Sequence, residues 1–291
     1  MQRGRSTAVP ESVGESIATS GTDVIAHRGF ADVAPENTLA ALERATAAGD
    51  EGRPAMVELD VMPCASGELV VFHDATLDRL TDPPAALAGR SVWETPLETL
   101  RGLDVLDSGE PIPLLREVFD VVPPDVVLNV ELKHPGVPPG PTGMLTPEGV
   151  DRERARWRPF VERVLDVAAI HDHDLLVSSF FEGAIAAVRD VDPSVPVANV
   201  FHDAIEEGFT VADRHDCEAV HAPWNMIYGT PMFNEEYVSG PFDSIDLVGR
   251  AHDDGRAVNV WTVETAEQAR SLRDAGVDGI MVDDPAVVAE N

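Results

Sequence analysis

Two short stretches, VELD ending at Asp60 and VELK ending at Lys133, place ionisable side chains two residues apart at the close of apolar, β-rich runs. Side chains along a strand alternate between its faces, so Glu58 and Asp60 point the same way, and so do Glu131 and Lys133. His27 and Arg28 close an earlier run, VIAHRG, while His73 and Asp74 close ELVVFHD. Asn259 and Trp261 repeat the two-apart spacing late in the chain. Three carboxylates brought to one place cannot all stay ionised without a positive partner. A hard divalent cation with oxygen ligands, Mg2+ or Ca2+, is the economical partner. Two histidines beside it would accept and donate protons near neutral pH. Arg28 and Lys133 add fixed positive charge suited to an anionic phosphate ester. These residue types point to metal-assisted hydrolysis of a phosphodiester.

Such groups meet only if the backbone carries them to one place. Eight short β-rich runs begin at about residues 24, 56, 127, 175, 196, 219, 257 and 279, and helical patterns separate them. Alternation of strand and helix implies parallel pairing through helical crossovers. Eight units in a chain of 291 residues fit an α/β fold of the closed (β/α)8, or TIM-barrel, type. No glycine-rich phosphate loop follows a strand, which argues against a doubly wound dinucleotide fold. In such a barrel chemistry sits at the carboxyl ends of the strands, where the polar pairs fall. The spacing predicts a helix from about Asn37 to Ala48, a short one around Leu97–Leu103, one over PLLREVFDVV and one over 151–170. A single domain is expected over 23–291, after a disordered tail at 1–22. It carries an insertion at about 75–112 after the second strand and long loops at 134–150 and 225–243.

Composition narrows the function further. A formal charge of −31 excludes a broad nucleic-acid surface and disfavours adsorption to anionic membranes. Acidity with arginine in place of lysine suits concentrated salt, where the Debye length falls to about 3 Å near 1 M. A GC-rich genome would favour arginine codons as well. No apolar run approaches the roughly 18 residues of a membrane span, and the first 20 residues lack the apolar stretch of a secretory signal. Cys64 and Cys217 are too few for a disulfide framework or a thiolate metal site, and read as buried apolar residues. A cytoplasmic location is expected. Nothing in the sequence specifies an oligomeric state.

The stretches AHRGFADVAPENTLAAL, VELDVMPCASGELVVFHDATLDRLTD, IPLLREVF, VELK, VWTV and AGVDGIMVDDP resemble, in order, the motifs of the glycerophosphodiester phosphodiesterase family. The resemblance runs from about residue 23 to 285. It implies a (β/α)8 barrel that uses a divalent metal to hydrolyse a small-molecule glycerophosphodiester to glycerol phosphate and an alcohol. Carried over, it makes Glu58, Asp60 and Glu131 the metal ligands and His27 and His73 the acid–base pair. Arg28 would hold the phosphate, and Lys133 would sit beside the metal and a phosphoryl oxygen. Glu36 is expected near the site, as a ligand or behind one, and Trp261 and Phe180 along the glycerol side. Asp74 would orient His73. Lys133 is the only lysine among 21 basic residues. A compact ammonium fits between carboxylates and phosphate where a broad planar guanidinium would not. Two departures from the family pattern, DDP for TDP after the last strand and Glu after VWTV, are expected to alter the rim of the pocket without touching the metal.

Two other classes compete. A zinc amidohydrolase barrel would use a paired H-x-H, and His171 and His173 supply one. They follow a helix and precede a strand, however, at the barrel face away from chemistry, and read as a polar turn. A catalytically inactive glycerophosphodiester-binding protein should have lost a ligand or a histidine, and every matched position here is filled. His221 and Trp224 could flank the pocket or pack against the next loop. His134 reads as a loop residue.

Overall fold

Valine, isoleucine and leucine dominate the short runs, and in the computed structural model those runs are strands. It describes residues 21–47, 53–138, 140–237 and 246–289. The strands are β1 (Asp23–Ala26), β2 (Met56–Pro63), β3 (Leu69–Val71), β4 (Val127–Leu132), β5 (Leu175–Ser179), β6 (Val197–Val200), β7 (Ala219–Pro223), β8 (Ala257–Val263) and β9 (Gly279–Val282). All but β3 pair in parallel, and β1 bonds to both β9 and β2, which closes the cylinder. This is the expected (β/α)8 barrel. β3 runs antiparallel beside β2 as a hairpin, with Val61 opposite Val71.

The helices are α1 (Leu39–Ala45), α2 (Leu97–Leu100), α3 (Leu115–Val121), α4 (Pro147–Ala168), α5 (Glu182–Val191), α6 (Ile205–Arg214), α7 (Leu247–Asp253) and α8 (Ala266–Asp274). Strand alternation divides the core between them and the barrel axis. On β2, Val57, Leu59 and Val61 join the apolar layer that also takes Leu115, Phe119, Trp157 and Phe160 from the helices. Met56 of the same strand faces the barrel floor with Leu176, Ala198, Ala219 and Ala257. Burial of this kind contributes roughly 25 cal/mol per Å² of apolar area, and it fixes which face of each strand looks inward.

The excursion after β3 has an apolar cluster of its own. Leu77, Leu80, Val92, Leu100, Leu103, Val105 and Ile112 pack on Met62, Val70 and Phe72 of the hairpin. Several boundaries differ from expectation. α4 starts at Pro147, so the loop after Lys133 stops at Thr146, whose hydroxyl accepts from the Gly149 N–H. Thr-Pro is an N-cap followed by a proline preorganised for the first turn, a stronger start signal than Gly149 is a break. α1 begins after Asn37, which has φ 59° and lies outside the helix. Residues 1–20, 48–52 and 238–245, on which parts of the expected tail, first helix and long loop fall, lie outside the described residues. Thr22 is held by the Val277 carbonyl at 3.0 Å.

Candidate active site

Parallel pairing of β2 with β4 sets Asp60 beside Glu131 and Glu58 beside Asn129. Carboxylate oxygens of Glu58, Asp60 and Glu131 consequently all lie within 4.8 Å of one another. Glu58 and Asp60 are buried, and the Oε1 of Glu58 has no hydrogen-bond partner. Burial first, and the Asp60 charge second, push the Glu58 carboxyl well above its usual range. Burial would raise Asp60 too, but Lys133 and Arg28 outweigh it and hold Asp60 below the usual range. Lys133 Nζ donates to Glu131 at 2.7 Å and stands 3.5 Å from Asp60. For the lysine, burial opposes the charge, but Glu131 and Asp60 together raise its pKa. Asn37 donates to Asp60 Oδ2 at 2.9 Å and accepts from the Asp60 N–H at 3.2 Å. A buried, unpartnered carboxylate oxygen in a set of three oxygen donors fits a hard divalent cation. Zinc sites with nitrogen and sulfur ligands call for a different donor set.

The turn after β1 brings the basic groups in. Arg28, Gly29 and Phe30 all have positive φ, at 51°, 79° and 65°. A Cβ on Gly29 would come within 3.0 Å of the Ala41 Cβ, so both the backbone and the packing against α1 require glycine there. That turn aims the Arg28 N–H at Glu58 Oε2, at 3.1 Å, and its guanidinium at Glu36, at 2.8 Å. Each of the two histidines bonds a carboxylate through Nδ1. His27 meets Asp283 at 2.6 Å, and His73 meets Asp74 at 2.6 Å. Burial works against a charged His27, but the Asp283 bond and the nearby Glu58 prevail and raise its pKa. Arg79, from the insertion, grips Asp74 and Glu36 together, with bonds of 2.7–2.9 Å. Burial again opposes the charge on Asp74, but these bonds take its carboxyl down to about 2.

A cavity of about 160 Å³ collects most of these groups. His27, Arg28, Glu58, His73, Glu131 and Lys133 line it, with Phe180 and Trp261 along one side. The Phe180 and Trp261 rings meet edge to face at 5.7 Å, and the Lys133 ammonium lies 5.7 Å from the Phe180 ring centre. Asp60, Glu36 and Asp74 are not in the cavity wall; they hold the groups that are. The loop after Lys133 is anchored at both ends. His134 stacks on Trp93 of the insertion at 3.5 Å, and the Gly143 N–H donates to the Phe180 carbonyl at 3.1 Å.

The sequence reading missed Asp283, Arg79 and Asn37. Asp283 was expected only to alter the rim, yet it bonds His27 directly; its place right after the last barrel strand, next to β1, was the available signal. His221, left open above, lines the cavity, and its Nε2 accepts from the Asn259 amide at 3.0 Å. Burial lowers its pKa to about 3, so it stays neutral. Trp224 does not line this cavity but a neighbouring groove. His171 and His173 pack on Phe119, with His173 Nε2 bonded to the Val122 carbonyl at 2.7 Å, and neither lines the cavity.

A model of the glycerophosphoryl diester phosphodiesterase family matches residues 27–287. The glycerophosphodiester phosphodiesterase of Caldanaerobacter subterraneus subsp. tengcongensis is 30% identical over 275 residues, covering 91% of this chain and 95% of that protein. That of Bacillus altitudinis is 26% identical over 267 residues, covering 91% and 95%. Among solved structures, an Oleispira antarctica phosphodiesterase in complex with its product sn-glycerol-3-phosphate gives a TM-score of 0.69 at 27% identity, covering 92% of this chain and 96% of that one. Among the described residues, no helix is long and apolar enough to cross a membrane.

Proposed function

This chain belongs to the glycerophosphoryl diester phosphodiesterase family and is a phosphoric diester hydrolase, and from that premise we propose that it cleaves glycerophosphodiesters to glycerol phosphate and an alcohol by histidine acid–base catalysis with a divalent cation. One observation carries the reading: Glu58, Asp60 and Glu131 converge within 4.8 Å, and the cavity that Glu58 and Glu131 line also holds both histidines. These three carboxylates would hold the cation, Mg2+ or Ca2+, which when bound supplies positive charge and polarises a phosphoryl oxygen. The complex of the Oleispira antarctica relative with glycerol phosphate supports a small glycerol-phosphate ester as the ligand of this cavity.

Each residue's task follows from its partners. Arg28, anchored by Glu36, holds the phosphate, and Lys133 places its ammonium against a second phosphoryl oxygen; both stabilise charge as the P–O bond breaks. Nδ1 of His27 and of His73 is engaged by a carboxylate, which fixes the ring and leaves Nε2 to transfer the proton. One histidine takes the proton of the attacking hydroxyl, and the other gives a proton to the departing alcohol oxygen. Phe180 and Trp261 form the apolar side against which the glycerol carbons pack.

The test is release of glycerol phosphate from glycerophosphocholine by the protein stripped of metal and then given Mg2+ or Ca2+. Turnover should appear only with cation, and the cation should raise Tm, by about 2.7 kcal/mol of stability at a concentration a hundredfold above Kd. The Tm of Glu58→Gln should respond far less. Turnover in a chelator that matches turnover with cation would refute metal dependence.

A further inference from the structure

Next to the catalytic cavity lies a more open groove of about 360 Å³, lined by His202, Trp224, Asn225, Trp261 and Glu264 with Pro223 and Thr262. Trp261 and Thr262 stand in the walls of both, so a molecule that extends past the Trp261 ring passes from one into the other. The two spaces differ in charge. Arg28 and Lys133 face the cavity, whereas among the described residues the groove has no lysine or arginine in its wall. Its full charge is the carboxylate of Glu264, which is exposed and makes no ion pair among the described residues. Two indoles flank it, and the Asn225 amide oxygen is buried without a donor.

A glycerophosphodiester has its phosphate in the middle. With that phosphate at Arg28 and Lys133 and the glycerol in the cavity, the groove beyond Trp261 is the adjoining space that can take the other arm. We propose that the groove is the subsite for the departing alcohol, and that Trp224, Trp261 and Glu264 make it select alcohols carrying an ammonium group. This rests on the phosphodiesterase reading above. Indole faces attract cations through their quadrupole, and an ammonium keeps a carboxylate partner at low desolvation cost in an open groove. Together they favour a cationic over a neutral head group by a factor on the order of 10.

The experiment is the ratio of kcat/KM for glycerophosphocholine to that for glycerophosphoglycerol, with divalent cation and at low salt. The ratio should be about 10 in the wild type, fall roughly threefold in Glu264→Gln, fall further in Glu264→Lys, and shrink as salt screens the charge. Glu264 is exposed, so neither substitution threatens folding. If both esters are hydrolysed but their ratio moves with neither substitution, the subsite is overturned and the phosphodiesterase reading stands. If neither ester is hydrolysed with any divalent cation, both fall.

Discussion

The two ends of the barrel are built from the same strands and have opposite chemistry. At the amino end β2 presents Met56 to the axis, and two and four residues later it presents Glu58 and Asp60. β4 passes from Val127 to Asn129 and Glu131, β7 from Ala219 to His221, and β8 from Ala257 to Asn259 and Trp261. The floor is mostly apolar, with Asp23, Asn259 and Asp278 also in its lining, and leaves only about 30 Å³ of space. The mouth concentrates buried carboxylates, one oxygen of which has no partner. Buried like charges cost stability. The molecule tolerates that cost because the floor and the helical layer supply burial a single pleat away. Apolar packing and the polar groups of the mouth are thus divided along these strands, not assigned to different strands.

Substitutions at the two ends should give opposite phenotypes. The largest effect belongs to the mouth: His27→Ala or His73→Ala should lower kcat by roughly 10²–10⁴-fold, with the melting curve little changed. A variant retaining wild-type turnover would remove that histidine from the chemistry. At the floor, Leu176→Ala should cost about 2–5 kcal/mol in urea unfolding, with kcat preserved wherever the protein is folded. Were that variant to lose turnover at full folding, the division between the ends would not hold.

A smaller effect tests whether a carboxylate beside a histidine belongs to the working end. Asp283→Asn should lower kcat by roughly 10–100-fold, the equivalent of one charge-assisted hydrogen bond, with substrate affinity nearly kept. The smallest is a slope. His221 has its pKa lowered by burial to about 3, so between that value and its ordinary 6.5 the unfolded chain binds the extra proton. Stability should therefore fall as pH falls through this window, by up to about 1.4 kcal/mol per unit. His221→Gln should flatten that slope in acid-unfolding curves, whatever its offset at neutral pH.

Much of this was legible in the sequence, because it is local. A strand's period of two announces which residues share a face, so VELD and VELK disclosed the pairs that line the mouth. All eight barrel strands followed from apolar runs between helical patterns. What escaped was long-range or conformational. Asp283 is 256 positions from His27, and only closure of the barrel between β9 and β1 joins them. Arg79 lies in a turn-rich excursion whose path no periodicity reveals. Asn37 opens a helical pattern in the sequence, though its left-handed backbone turns its amide toward Asp60. The start of α4 lies earlier than its apolar periodicity, because the Thr146-Pro147 cap opens the helix within a stretch rich in proline and glycine.

Arg79 makes the excursion after β3 more than an ornament on the barrel. One guanidinium joins Asp74, which steadies His73, to Glu36, which steadies Arg28. A chimaera that replaced residues 75–112 with a relative's segment lacking this arginine would leave two acids facing each other with one cation fewer between them. Such a graft could fold around its own apolar cluster and still misalign both loops at once. The segment is thus an heirloom that must travel with its clasp.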